Sequence, residues 1–170
     1  MYWHLREKGK RGPSRKKGKS NASEPRGVTV LPGTYTLKLH FGNKTVSEKI
    51  TVAYDPRVEM NDDVLKSKYE LLKQIEHKIG IAGEATQRLL ASKEIVEDFK
   101  KRIKAQPTLK MKDSILKKHT HIINTINTLL DAMLGKEDKR QGITATEFPS
   151  TISHLYTASW YVNSLLQKPG

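Results

Sequence analysis

Histidine is the residue type in this chain best suited to bind a metal ion or to transfer protons, and six histidines occur. His119 and His121 are the closest pair, but they are two residues apart and would point to different sides of a helix. Zinc ligands on a helix are typically three or four residues apart, and no His-Glu-x-x-His motif occurs. We therefore predict no metal site and no cofactor, and we interpret His119, which falls on an apolar stripe, as a core residue.

No motif for covalent or phosphoryl chemistry stands out among the other residues. The chain has no cysteine, which excludes a thiolate nucleophile and a disulfide framework. It also has no Gly-x-Ser-x-Gly sequence. Gly80 and Gly83 interrupt a helical pattern and do not follow a strand, so they do not predict a phosphate-binding loop. The sequence therefore predicts a protein that is not an enzyme, with a small hydrolase as the least favoured alternative.

Positive charge is the strongest feature of the composition, with a formal net charge of +13. Residues 1–26 carry nine lysines and arginines against two acidic residues, so this segment contributes +7 and the remainder +6. Its basic run is a candidate anion-binding site, made of Arg11, Arg15, Lys16, Lys17 and Lys19. Because no aromatic side chain that could stack on a base lies within the run, we favour a solvated loop and do not expect nucleic acid as a partner. Binding of nucleic acid or another polyanion is the alternative function.

The first part of the chain alternates with the period of β-strands. Residues 2–6 predict a short strand, and residues 7–26 predict a basic loop. Residues 34–41 alternate between apolar and polar side chains, as in a half-buried strand. Gly42-Asn43 predicts a two-residue hairpin turn, after which a returning strand runs over about residues 44–54.

After this hairpin the apolar period changes to that of amphipathic helices. A long first helix is expected to begin at Asn61, whose side chain can cap it. Gly80 and Gly83 weaken its middle and are expected to bend or divide it. A second helix is predicted from about Asp113 and a third from Pro149, since proline suits a first helical turn.

These elements predict an α+β fold, with a β unit over residues 1–58 and an antiparallel three-helix bundle over residues 59–170. Three or four strands are too few for a closed sandwich, and they leave edges and one apolar face uncovered. We therefore expect the chain to be one end of a longer polypeptide, and we expect possible self-association when it is alone. The candidate packing or interface residues are Trp3, Tyr35, Leu37, Leu39 and Phe41.

Several short motifs follow one another in an order that is typical of one family. They are Tyr-Trp-His-Leu-Arg at 2–6, Val30-Leu-Pro-Gly-Thr-Tyr-Thr-Leu-Lys-Leu39, and Asp55-Pro56-Arg57 before a long helix. In this combination the chain resembles the C-terminal region of bacterial sortilin-like (VPS10/BNR-repeat) β-propeller proteins, over about residues 2–160. The resemblance implies that the β segment is a partial immunoglobulin-like unit, similar to that of flagellar hook-capping proteins.

The resemblance also implies a role without catalysis. The propeller repeats of the family are not part of this sequence, so no catalytic residue of the family can be assigned to it. We expect a C-terminal accessory module of an exported protein, in the periplasm or at the cell surface, whose partner is an upstream propeller domain or another protein. No apolar run is long enough to cross a bilayer, so we predict no membrane span.

Overall fold

A computed structural model describes residues 2–16, 23–57, 61–106, 110–136 and 150–165. It has two separate antiparallel sheets of two strands each, followed by three helices, which is the predicted α+β class with a three-helix unit. The strands are β1 (Arg6–Lys8), β2 (Arg26–Thr29), β3 (Gly33–Phe41) and β4 (Lys44–Val52). The helices are α1 (Asp62–Lys104), α2 (Lys112–Leu134) and α3 (Thr151–Ser164).

The first strand lies later than predicted. Leu5 has a left-handed backbone conformation with φ of 55°, so the residues before Arg6 leave the ladder. The strand predicted over residues 2–6 is therefore wrong, and Glu7 and Lys8, expected in the basic loop, belong to β1. β1 pairs with β2, and β2 packs on α1. We call β1 and β2 the docked hairpin.

The second hairpin is confirmed, and its register is regular. Gly33 pairs with Val52 at one end and Phe41 with Lys44 at the other, with no bulge between them. Gly42 has φ of 56°, which the two-residue turn requires and which glycine adopts without steric cost. No residue of β3 or β4 has its Cα within 8 Å of a Cα in any other described element. We call β3 and β4 the free hairpin.

α1 is one continuous helix of 43 residues and is about 65 Å long. Its cap is the predicted one, because the backbone N–H groups of Asp63 and Val64 donate to the Asn61 side chain at 2.9 and 3.3 Å. The helix is not divided at Gly80 and Gly83, since both lie inside it.

α2 and α3 follow one another along α1. Lys93 of α1 donates to Asn127 of α2 at 2.8 Å, so α2 runs antiparallel to the second half of α1. Lys68 of α1 donates to the backbone oxygen of Asn163 at 3.0 Å, which places α3 along the first half. Ser150 caps α3 through the N–H of Ser153, while Pro149 lies outside the described residues. The three helices therefore form a long helix covered by two shorter ones in series.

The core follows this arrangement. One cluster joins α1 and α3 through Ile75, Ile79 and Ile152, and Leu134 at the end of α2 packs against it. Leu130 of α2 is 2% exposed. His119 is buried, as predicted, and neither of its ring nitrogens has a hydrogen-bond partner among the described residues.

Candidate interaction surface

The free hairpin presents one apolar face. Residues directly opposite one another in an antiparallel ladder point to the same side of the sheet. The observed register therefore places Val46, Ile50 and Val52 of β4 on the same side as the apolar residues of β3, as the alternation in the returning strand predicts. We call this set the apolar face, and it consists of Tyr35, Leu37, Leu39, Phe41, Val46, Ile50 and Val52. The opposite face carries threonine, serine, lysine and histidine side chains.

Exposure of the apolar face is greatest toward the turn. Leu37 is 47% exposed, Leu39 67%, Val46 65% and Phe41 83%. Tyr35, Ile50 and Val52, at the other end, are half-buried. Single exposed apolar residues are common on protein surfaces, but contiguous patches typically mark interaction sites. Leu37, Leu39, Phe41 and Val46 therefore form a contiguous exposed apolar patch.

Trp3 lies at the end of the apolar face that is far from the turn. Its ring packs edge-on against Tyr35, with ring centroids 5.5 Å apart, and its indole N–H donates to the backbone oxygen of Arg6 at 3.0 Å. The Tyr35 hydroxyl in turn donates to the backbone oxygen of Leu31 at 2.5 Å. The structure thus brings together the candidate interface residues Trp3 and Tyr35, next to Leu37, Leu39 and Phe41.

A cavity of about 380 Å³ lies where the free hairpin joins the body. Its lining is mostly apolar and includes Val52 of the apolar face, Leu31 of the connection to β3, and Leu65 and Leu72 of α1. Lys68 reaches its edge, and burial lowers the pKa of this lysine. Because Val52 belongs to both features, the cavity and the apolar face form a continuous surface.

The docked hairpin is held to α1 by a charged cluster. The Glu7 carboxylate accepts hydrogen bonds from the Tyr69 hydroxyl and from Lys73, the latter at 2.5 Å. Lys73 and then Tyr69 lower the pKa of Glu7, while the same carboxylate raises the pKa of Tyr69 to about 12. Glu76, one helical turn further along, accepts the backbone N–H of Lys10 at 3.1 Å.

Residues 9–16, which we call the strap, cross α1 at its two glycines. A Cβ at Gly83 would overlap the backbone oxygen of Arg11, and a Cβ at Gly80 would lie 3.0 Å from the Lys10 side chain. Glycine is therefore needed at position 83 because another segment's backbone lies against the helix. Sequence reasoning missed this role, since helical propensity carries no information about what crosses a helix.

The residues of the predicted basic run have different surroundings in the structure. Arg15 donates to Asp131 at 2.7 Å and to the backbone oxygen of Gly135 at 2.5 Å, so it fastens the strap to the end of α2. Arg11 and Lys16 line an open groove of about 990 Å³. Lys10 and Arg88 line the same groove, and Glu84 is its one acidic residue among the described part of the chain. Lys17 and Lys19 lie outside the described residues.

With this geometry in view, the chain was compared with known proteins. No protein-family model, no curated protein and no solved structure matches it. The resemblance to propeller proteins therefore stays a prediction, and the surface is interpreted from its own residues.

Other apolar residues are exposed on the helices. Ile95 and Phe99 of α1, which the helical period assigns to a buried stripe, are 71% and 54% exposed. α2 packs on this half of α1 but leaves both side chains uncovered, and α3 lies along the other half. Trp160 and Tyr161 of α3 pack against each other with centroids 5.3 Å apart, and both face solvent.

Metal chemistry and membrane insertion find no support in the described part of the chain. No group of three or more histidine, aspartate or glutamate side chains there could hold a metal ion. None of the helices described is both long enough and apolar enough to span a bilayer.

Proposed function

We propose that this chain is a non-catalytic protein-interaction module, and that the apolar face of the free hairpin is its docking surface. In line with the resemblance, we propose that it serves as an accessory part of an exported propeller protein. The observation that carries the proposal is the exposure of Leu37, Leu39, Phe41 and Val46 on one face of a hairpin that no described helix or strand covers.

An isolated two-stranded hairpin is only marginally stable in water. A partner that covers the apolar face supplies the missing layer. Burial of a large apolar side chain contributes about 1.5–3 kcal/mol when it is complete. Four such side chains on one face therefore provide a substantial gain in free energy on docking, and they have no equivalent on the polar face.

A dye that fluoresces on apolar protein surfaces tests the proposal. We expect the wild-type chain to bind 8-anilinonaphthalene-1-sulfonate, and we expect the double variant Leu39→Thr/Phe41→Thr to lose most of this signal. Threonine suits a strand, so the hairpin is retained. Lys49→Thr, on the opposite face, is the matched control and should leave the signal unchanged.

Absence of dye binding by the wild-type chain, at a concentration low enough to keep it monomeric, would contradict the proposal, because it would mean that the apolar face is covered within the chain. Equal dye binding by the wild type and the double variant would also contradict it. That result would place the accessible apolar surface on the helices, for which Ile95→Thr/Phe99→Thr is the variant to compare.

Binding of a polyanion is the second candidate function, and the basic groove beside the strap favours it. Lys10, Lys16 and Arg88 all lie on this groove, where a chain of phosphates or sulfates would meet several cations at once. Heparin is a convenient probe. We expect its binding to weaken steeply with salt and to be lost in Lys16→Glu/Arg88→Glu, whereas salt-independent binding or no binding would remove this candidate.

A further inference from the structure

Two charged side chains interrupt the apolar face of the free hairpin, and they are opposite in sign. Lys44 shares its row of the ladder with Phe41, and Glu48 shares its row with Leu37. Between these rows lies the row formed by Leu39 and Val46. Lys44 and Glu48 are both exposed, and neither forms an ion pair with another described residue.

This pattern is symmetric about its central row. A two-fold axis that lies between two facing sheets, parallel to the hydrogen bonds and level with Leu39 and Val46, reverses the order of the rows. Lys44 then faces Glu48 of the second copy, and Glu48 faces Lys44 of the second copy. Stacked sheets are about 10 Å apart, a gap that two long charged side chains can bridge. Phe41 meets Leu37 of the second copy in the same arrangement.

An apolar partner, or a second copy in a different orientation, fits the apolar face less well. An entirely apolar partner would bury Lys44 and Glu48 without partners, which is strongly unfavourable. A two-fold axis parallel to the strands would place Lys44 against Phe41 of the second copy and would pair neither charge.

We propose that the free hairpin docks face to face on a second copy of this chain, with the strands of the two copies antiparallel and with paired Lys44–Glu48 contacts. This inference rests on the proposed function and specifies its partner. Interfaces with two-fold symmetry contain each contact twice, so a single substitution acts on both pairs.

Sedimentation velocity of the full 170-residue chain over a wide concentration range tests the inference. We expect reversible dimers in the wild type. Lys44→Glu places glutamates against glutamates at both contacts, and Glu48→Lys places lysines against lysines. Because like charges in contact disfavour association, we expect each variant to dimerise at least about tenfold more weakly.

Exchanging the charges at positions 44 and 48 then tests whether these two residues face each other across the interface. An equimolar mixture of Lys44→Glu and Glu48→Lys restores both contacts and should form mixed dimers. The double variant Lys44→Glu/Glu48→Lys should dimerise like the wild type. Lys49→Glu changes the net charge as much as Lys44→Glu but lies on the polar face, and it should leave dimerisation unchanged.

The possible results distinguish this inference from the proposed function. A chain that stays monomeric while still binding the apolar dye overturns the second copy as partner and leaves a different protein as the partner. If the substitutions at Lys44 and Glu48 leave dimerisation unchanged, the proposed face-to-face register is overturned. A chain that neither dimerises nor binds the dye overturns both proposals.

Discussion

The two hairpins of this molecule differ in strand length, in the regularity of their register and in their attachment to the helices. The docked hairpin has strands of three and four residues and an irregular register, yet it lies on α1 and is fastened by Glu7. The free hairpin has two strands of nine residues in a regular ladder, yet it touches no other described element through its backbone. Regular pairing and attachment to the core are therefore separate properties. We infer that the docked hairpin serves stability and the free hairpin serves interaction.

The largest expected effect is at the place where the strap crosses α1. Gly83→Ala forces a methyl group against the backbone of Arg11 and should lower the free energy of unfolding by about 2 kcal/mol, since overpacking outweighs the gain in helix propensity. Denaturation by urea measures this. Gly80→Ala is the matched control because it meets the Lys10 side chain, and it should change stability by less than about 1 kcal/mol. Equal effects at both positions would mean that the strap does not lie on the helix.

Loss of the Glu7 carboxylate should weaken the docked hairpin. Glu7→Gln should lower the free energy of unfolding by about 1 kcal/mol at neutral pH, because the contacts with Tyr69 and Lys73 are partly exposed. Glu48→Gln, on the free hairpin, is the control and should have no measurable effect on unfolding of the helices.

The same contact predicts a dependence on pH. The pKa of Glu7 is lower in the folded chain than its ordinary value of 4.5, so its contribution is complete above that pH and is lost as the pH falls below it. The stability difference between the wild type and Glu7→Gln should therefore shrink in acid. A difference that stays constant down to the acid transition would show that the carboxylate is not fastened to α1.

A change in the turn of the free hairpin should act locally. Gly42→Ala places a side chain in a left-handed conformation and should destabilise the hairpin by about 1 kcal/mol, although nothing crowds the new methyl group. Amide exchange in β3 and β4 should become faster while thermal unfolding of the helices keeps its midpoint. A shift of that midpoint would show that folding of the free hairpin is coupled to folding of the helices.

The smallest effect on stability is expected at the centre of the apolar face. Leu39→Thr should change the free energy of unfolding by less than about 0.5 kcal/mol, as is usual for exposed positions. Thermal unfolding at low protein concentration measures this. A loss of several kcal/mol would place Leu39 in a core and would remove the contrast between the hairpins.

Local signals in the sequence identified much of this fold. The glycine-containing turn and the alternating residues predicted the free hairpin with its observed pairing at the turn, and Asn61 predicted the start of α1. Both depend on neighbouring residues alone. The alternation also showed which side chains share a face, but it could not show whether a helix covers that face.

Features that depend on distant residues were harder to predict. The positions of α2 and α3 along α1, the role of Gly83 and the anchoring of Arg15 all depend on contacts between segments far apart in the chain. The charges at Lys44 and Glu48 were present in the sequence, but their symmetry becomes visible once the register is known.

The hydrogen bond between Arg15 and Asp131 has a consequence for biosynthesis, because 116 positions separate the two residues. The strap is therefore synthesised before the end of α2 that receives it. Until α2 has been synthesised the strap lacks this attachment, and contacts of such long sequence separation form slowly. Fastening of the strap is expected to be a late event in the maturation of the chain.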